Sequence, residues 1–157
     1  MNTSSFHSLE GEYICFKSLS SNNVKEIHSY ASDEDVSRFI GWNLMNTFQA
    51  VIGTAMIFNF DKEANHAEIG YVLHKEHWGK GYGTEAVGLM SEFAFESLQL
   101  HKLYASVVDA NIGSARILEK SGYALEGRLK DHYFIEDNYY DALLYGKITK
   151  LALERRP

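Results

Sequence analysis

The sequence predicts an α+β domain built on a mixed, mostly antiparallel sheet with one parallel strand–helix–strand crossover. Three observations predict it. Two segments rich in β-formers, 51–60 (VIGTAMIFNF) and 67–74 (AEIGYVLH), are joined by the polar DKEANH, a connection of hairpin length that makes them antiparallel. A stretch with helical spacing, 83–98, leads to a strand at 102–108, and a crossover of that length makes 67–74 and 102–108 parallel. The tail, 123–147, reads as two long strands around the turn-forming Glu136-Asp137-Asn138.

Each element has a local reason. Residues 12–17 (EYICFK) alternate and read as a first strand. Asn23 and Glu26 have capping-box spacing, and Val24, Ile27, His28 and Ala31 follow on one helical face. A second short helix is expected after Ser32, carrying Val36 and Phe39. In 83–98, Ala86, Met90, Phe93, Ala94 and Leu98 keep helical spacing. The apolar run KLYASVV at 102–108 is of the kind buried on both faces. A helix over 112–121 ends at Gly122, a C′-like position. The expected order is β-α-α-β-β-α-β-α-β-β.

The 157 residues suffice for one core that buries roughly 70% of the unfolded surface, and are too few for two ordinary domains. The single Pro is Pro157 and no linker or repeat interrupts the chain, so residues 1–157 are expected to form one domain. With 15 Lys+Arg against 21 Asp+Glu the formal charge is −6, which argues against nucleic acid as the main partner. That charge keeps the protein soluble, and where it bears on substrate it favours a cationic one such as an amine. Cys15 is alone, which excludes an internal disulfide and a Cys-based metal site. There is neither a secretory leader pattern nor an apolar run long enough for a membrane span, so a cytoplasmic location without a membrane partner is expected.

The most informative segment is Trp78-Gly79-Lys80-Gly81-Tyr82-Gly83-Thr84, between a strand and the long helix. Glycines let the backbone approach a ligand closely, and the first N–H groups of a helix carry positive partial charge, so the turn forms an anion cradle to which Lys80 adds a charge. A plain turn that needs positive φ angles is the alternative. The Walker loop is excluded because no Lys-Ser/Thr pair follows the glycines. Residues 81–86 (GYGTEA) fit the dinucleotide fingerprint formally, but two antiparallel strands precede them and Asp109 lies 28 residues beyond Gly81, too far for the ribose contact.

The turn resembles the acyl-CoA pyrophosphate loop of the GNAT superfamily of N-acetyltransferases, [QR]-x-x-G-x-[GA], with Trp78 in place of the polar first residue. Asn111-Ile112-Gly113-Ser114, and then 119–127 (EKSGYALEG), are similar to motifs of its ribosomal-protein N-terminal acetyltransferase subgroup. The resemblance covers roughly 51–148 and 12–42. It implies the GNAT-like mixed sheet with helices on both faces, acetyl-CoA as cosubstrate, no metal, and direct acetyl transfer to an amine acceptor, a small molecule or a protein N-terminus. The fold commonly forms homodimers.

By that resemblance, Gly79, Lys80, Gly81, Tyr82, Gly83 and Thr84 hold the pyrophosphate. Backbone N–H groups near Val72 and Leu73, on a strand that splays from its parallel neighbour, hold the acetyl oxygen and pantetheine. Asn111 binds the pantetheine or adenosine side. Glu68, Gly70 and Val72 share one strand face, so Glu68 is the candidate base or ammonium binder, with an ordinary solvated carboxylate as the alternative. Ala67-Glu68-Ile69 resembles the tripeptide that carries the base in the superfamily's histone acetyltransferases. Many members carry a donor Tyr where this chain has Leu118, and the subgroup's Ser protonates the thiolate, which implies Ser114; helix capping is its other use. The subgroup's Glu, nineteen residues beyond that Ser, is here Tyr133, leaving Tyr133 and His132 as weaker alternatives.

His74 and His77 form an H-x-x-H at a strand end, poor geometry for zinc. Phe39, Ile40 and Trp42 are expected to wall the acceptor cleft. Between Thr47 and Val51 only a few residues stand where related chains fit the rest of a helix and a second strand; either that strand is absent and the cleft wall open, or a segment belonging there is omitted from this sequence and nothing is missing. Competing with an N-acetyltransferase are a non-catalytic acyl-CoA-binding module and a dinucleotide-dependent oxidoreductase. Protein N-termini, Lys side chains, polyamines and small amines are all open as acceptors.

Overall fold

The computed structural model describes residues 9–17, 44–46 and 51–149. The helices expected from Asn23 and after Ser32, and the wall residues Phe39, Ile40 and Trp42, lie outside them. The chain divides into two compact units, Met1–Met56 with Gly70–Leu89 and Ile57–Ile69 with Met90–Pro157.

The first unit contains β1 (Leu9–Glu10), β2 (Cys15–Lys17), β3 (Leu44–Asn46), the start of β4 (Val51–Asp61) and the end of β5 (His66–Leu73), hydrogen-bonded in that order. The strand expected over 12–17 begins only at Cys15. Gly11 N–H donates to Ile14 O (2.8 Å), closing a turn, and Tyr13 N–H goes to Glu85 Oε1 (2.9 Å) instead of to a neighbouring strand. A short strand does precede β4. β3 pairs antiparallel with β2 (Phe16↔Met45) and with β4 (Leu44↔Thr54, Asn46↔Val51). A three-residue strand drawn from upstream of Thr47 needs no extra length, and a register shift between Met45 and Asn46 brings Asn46 opposite Val51. Ile14, Ile52, Ala86 and Val87 are buried in this unit.

The second unit carries the far end of β4, the start of β5, β6 (Lys102–Val108), β8 (Asn138–Ile148) and β7 (Ala124–Ile135), in that sheet order. At the β4–β5 connection Asp61 Oδ1 accepts the amides of Glu63 (2.9 Å) and Ala64 (2.8 Å), an Asx turn. The β5–β6 pair is parallel and β6–β8 antiparallel, as expected. β6 is not buried on both faces: Leu103, Ala105 and Val107 are buried, while Lys102, Tyr104 and Ser106 are half-exposed. A polar tip accounts for part of the difference, because Ser106 shares a hydrogen bond with Tyr133 on that face. The β7–β8 hairpin turns at Glu136 (φ 49°) and Asp137 (φ 59°), the two left-handed residues of a type I′ turn.

Two α-helices complete the described residues, α1 (Tyr82–Glu92), which runs through both units, and α2 (Ile112–Lys120). The helix expected to reach Leu98 widens into a π turn over Phe93–Ser97, where Leu98 N–H bonds Phe93 O (3.1 Å). After α2, Gly122 has φ 82°, the left-handed conformation that ends a helix. Leu103, Leu118, Ala142 and Tyr145 are buried in the second unit.

Candidate active site

In the first unit, β5 passes into a short 3-10 turn, Lys75–His77, that starts at His74, whose Nδ1 accepts the Glu76 amide (3.2 Å). The Trp78 indole N–H then donates to Leu73 O (2.7 Å), fastening the glycine turn to the strand end. Gly79 (φ 73°) and Gly81 (φ 88°) occupy the left-handed region, and an added Cβ at either would meet nothing within 4 Å. The backbone, not crowding, therefore demands glycine there, and the space beside the turn is open to a ligand. Glu85 N–H makes the first intrahelical bond, to Gly81 O (3.1 Å). The amides of Tyr82, Gly83 and Thr84 precede it, as helix geometry requires of an anion-binding N-terminus. Exposed Lys80 adds positive charge. Burial, with help from Lys80 and His74, holds the His77 imidazole below its ordinary value. These residues fit a pyrophosphate.

Val72 and Leu73 lie close to Gly53. An added Cβ on Gly53 would overlap the Val72 carbonyl oxygen and approach Leu73 Cα to 3.1 Å. His74 N–H donates to Ile52 O (2.8 Å), so the two strands stay paired beyond that contact.

In the second unit, Glu68 and Tyr104 form one rung of the parallel ladder, after His66↔Lys102 and Ala67↔Leu103. Among the described pairings that ladder stops there, whereas β6 stays paired with β8 as far as Val108↔Ala142. Glu68 Oε2 accepts a hydrogen bond from Asn59 Nδ2 (2.8 Å), and Tyr104 stands opposite Glu68 on its rung. Burial first, and then the Glu68 charge, push the Tyr104 phenol up. Asn111 is the N-cap of α2: its Oδ1 accepts the Ser114 amide (3.0 Å), which sets Ser114 in the first helical turn. Tyr133 and Ser106 share a hydrogen bond (2.7 Å), and His132 lies edge-on to Tyr133.

The cofactor-turn residues thus gather in one unit with Val72 and Leu73, and Glu68, Asn111 and Ser114 lie in the other. Sequence reasoning missed Asn59, Tyr104 and the network in which Arg128 bridges Asp109 (2.9 Å) and Asp141. Tyr104 was within reach, because a parallel register sets it opposite Glu68. A lone Asn in the apolar run MIFNF was the available signal for Asn59. His74 and His77 have ring centroids 5.9 Å apart, and the described residues hold no group of three metal-ligating side chains. No helix among them is long and apolar enough to cross a membrane.

A family model described as Acetyltransferase (GNAT) domain matches residues 16–124. The chain is 47% identical over 78 residues, 49% of its length, to "Probable N-acetyltransferase YjcK" of Bacillus subtilis (strain 168), and the match covers 43% of that protein. The chain therefore spans less than half of that relative. It is 29% identical over 134 residues to spermidine N(1)-acetyltransferase of Escherichia coli (strain K12), covering 85% of this chain and 68% of that one. In fold it is similar to the crystal structure of ribosomal-protein-S5-alanine acetyltransferase from Vibrio fischeri, with a TM-score of 0.82 at 20% identity over 97% of this chain and 100% of that one. Since the family model covers well over half of the 157 residues, the chain belongs to the GNAT acetyltransferase family.

Proposed function

We propose that this protein is an acetyl-CoA-dependent N-acetyltransferase that passes the acetyl group directly to a primary amine. The observation that carries the reading is the glycine turn, with left-handed Gly79 and Gly81 opening onto the amides of Tyr82, Gly83 and Thr84 at the start of α1. Those amides and Lys80 would hold the pyrophosphate, the backbone of Val72 and Leu73 the acetyl oxygen and pantetheine, and Asn111 the pantetheine or adenosine side. Acetyl-CoA, when bound, supplies an activated acyl group with a thiolate leaving group. Glu68 accepts the amine proton or holds the ammonium, and the Ser114 hydroxyl provides a proton for the departing sulfur. A net charge of −6 suits a cationic acceptor. The names of relatives suggest spermidine and ribosomal-protein N-termini as the first acceptors to try.

A non-catalytic acyl-CoA-binding module is the second reading. Leu118, at the place of the usual donor Tyr, is fully buried and offers no proton. Thiol release from acetyl-CoA, measured over a panel of spermidine, tyramine and peptides with Ser or Ala N-termini, separates the two. Amine-dependent release with an acetylated product is expected. Acetyl-CoA binding with no release from any amine would establish the binding module, and NAD(P) binding without acetyl-CoA binding would remove both.

A further inference from the structure

We propose that Asn59 and Tyr104 are positioning residues that clamp the Glu68 carboxylate from two strands; this rests on the reading of Glu68 as the group that takes the amine proton. Glu68 stands on the last described rung of the parallel ladder, opposite Tyr104. A glutamate there has three side-chain torsions to lose before it holds one geometry, and a misplaced base is a poor base. Groups on the two flanking strands can restrict those torsions. The Asn59 amide reaches Oε2 from β4 (2.8 Å), and Tyr104 stands directly opposite Glu68 on β6, its phenol pushed up by burial and then by the Glu68 charge.

The backbone of Asn59 supports the assignment independently. It has φ 49° inside an eleven-residue strand, a left-handed conformation that a non-glycine residue adopts at a cost. Asparagine tolerates that conformation better than most residues and also carries an N–H₂ donor, so one side chain meets both demands. Both clamping groups are neutral. A neutral donor favours the ionised carboxylate less than a Lys or Arg would, so it orients the group while weakening it less as a proton acceptor.

Backbone conformation and carboxylate positioning are separated by Asn59→Gly and Asn59→Asp, which tolerate φ near 50° but donate nothing to Glu68. Tyr104→Phe tests the other arm. Each is combined with Glu68→Gln, and all are assayed with acetyl-CoA and the amine that gives the fastest thiol release in the panel above, after a thermal melt confirms folding. We expect each single variant to lower kcat by about tenfold with the KM for acetyl-CoA changed less than twofold, as misorientation of a base would do. In the Glu68→Gln background, Asn59→Gly should change the residual kcat less than twofold, because its effect passes through the carboxylate. Full kcat in Asn59→Gly and Asn59→Asp, or losses that multiply in the Glu68→Gln background, would overturn the clamp while leaving Glu68 as the base. Full activity in Glu68→Gln alone would overturn the base, and the clamp with it.

Discussion

Asn111 Oδ1 accepts the Ser114 amide at 3.0 Å, so the cap of α2 is an asparagine, and the serine that the sequence offered as a cap stands inside the first turn. The Asn111 amide is itself spent on Val108 O (2.8 Å), which also removes any need for the serine to reach back to it as in a capping box. Helix initiation thus belongs to Asn111.

Opposite responses follow at the two positions. Ser114→Ala leaves the Asn111 cap in place and should cost less in urea unfolding than Asn111→Ala. Its kcat should fall by about 10²-fold if the hydroxyl is the proton donor. Asn111→Ala should cost about 1 kcal/mol in urea unfolding through loss of the cap. A destabilised Ser114→Ala with normal kcat would return the serine to a structural role.

Gly53 gives a second contrast. An added Cβ there would overlap the Val72 carbonyl oxygen, which belongs to backbone and moves only with β5. Gly53→Ala should therefore destabilise by about 1–3 kcal/mol and raise the KM for acetyl-CoA, because Val72 and Leu73 are the proposed acetyl and pantetheine contacts. Gly79→Ala meets no atom within 4 Å and should cost only the roughly 1–2 kcal/mol of a left-handed backbone. Equal unfolding costs with an unchanged KM in Gly53→Ala would detach Val72 from the cofactor.

What the sequence made legible follows from the range of the interactions involved. β6 and α2 were readable because a seven-residue β-rich run and a helix ended by glycine carry their own signals. Gly79 and Gly81 were readable because a positive φ favours one residue type. β3 was not, because three residues have no measurable period and their strand state comes from pairing with β2 and β4. The start of β2 was misread because Tyr13 N–H bonds a carboxylate 72 positions away. Asn59 stayed hidden for a similar reason: its value lies in a backbone conformation and a cross-strand contact, neither of which leaves a local pattern.

Tyr123 closes the turn after α2, buried with its hydroxyl 2.9 Å from Ser91 Oγ. Burial pushes its phenol from 10.0 up to about 12, against the opposing effect of the Ser91 hydrogen bond. A group whose folded value lies above its unfolded one binds its proton more tightly in the native state. Its stabilisation is complete below pH 10 and is lost as the pH rises through 12. Tyr123→Phe keeps the ring but has no proton to lose. At pH 7 it should be less stable by about 1 kcal/mol, the worth of one hydrogen bond. Between pH 10 and 12 wild type alone pays for keeping a neutral phenol inside, so the gap should narrow and then change sign. Urea unfolding of both proteins at pH 7, 10 and 11 reads this directly, and other tyrosines and lysines cancel because they are common to the two chains. A gap that stayed constant with pH would mean that Tyr123 ionises alike in the folded and unfolded chain, and that the Ser91 contact rather than burial governs its hydroxyl.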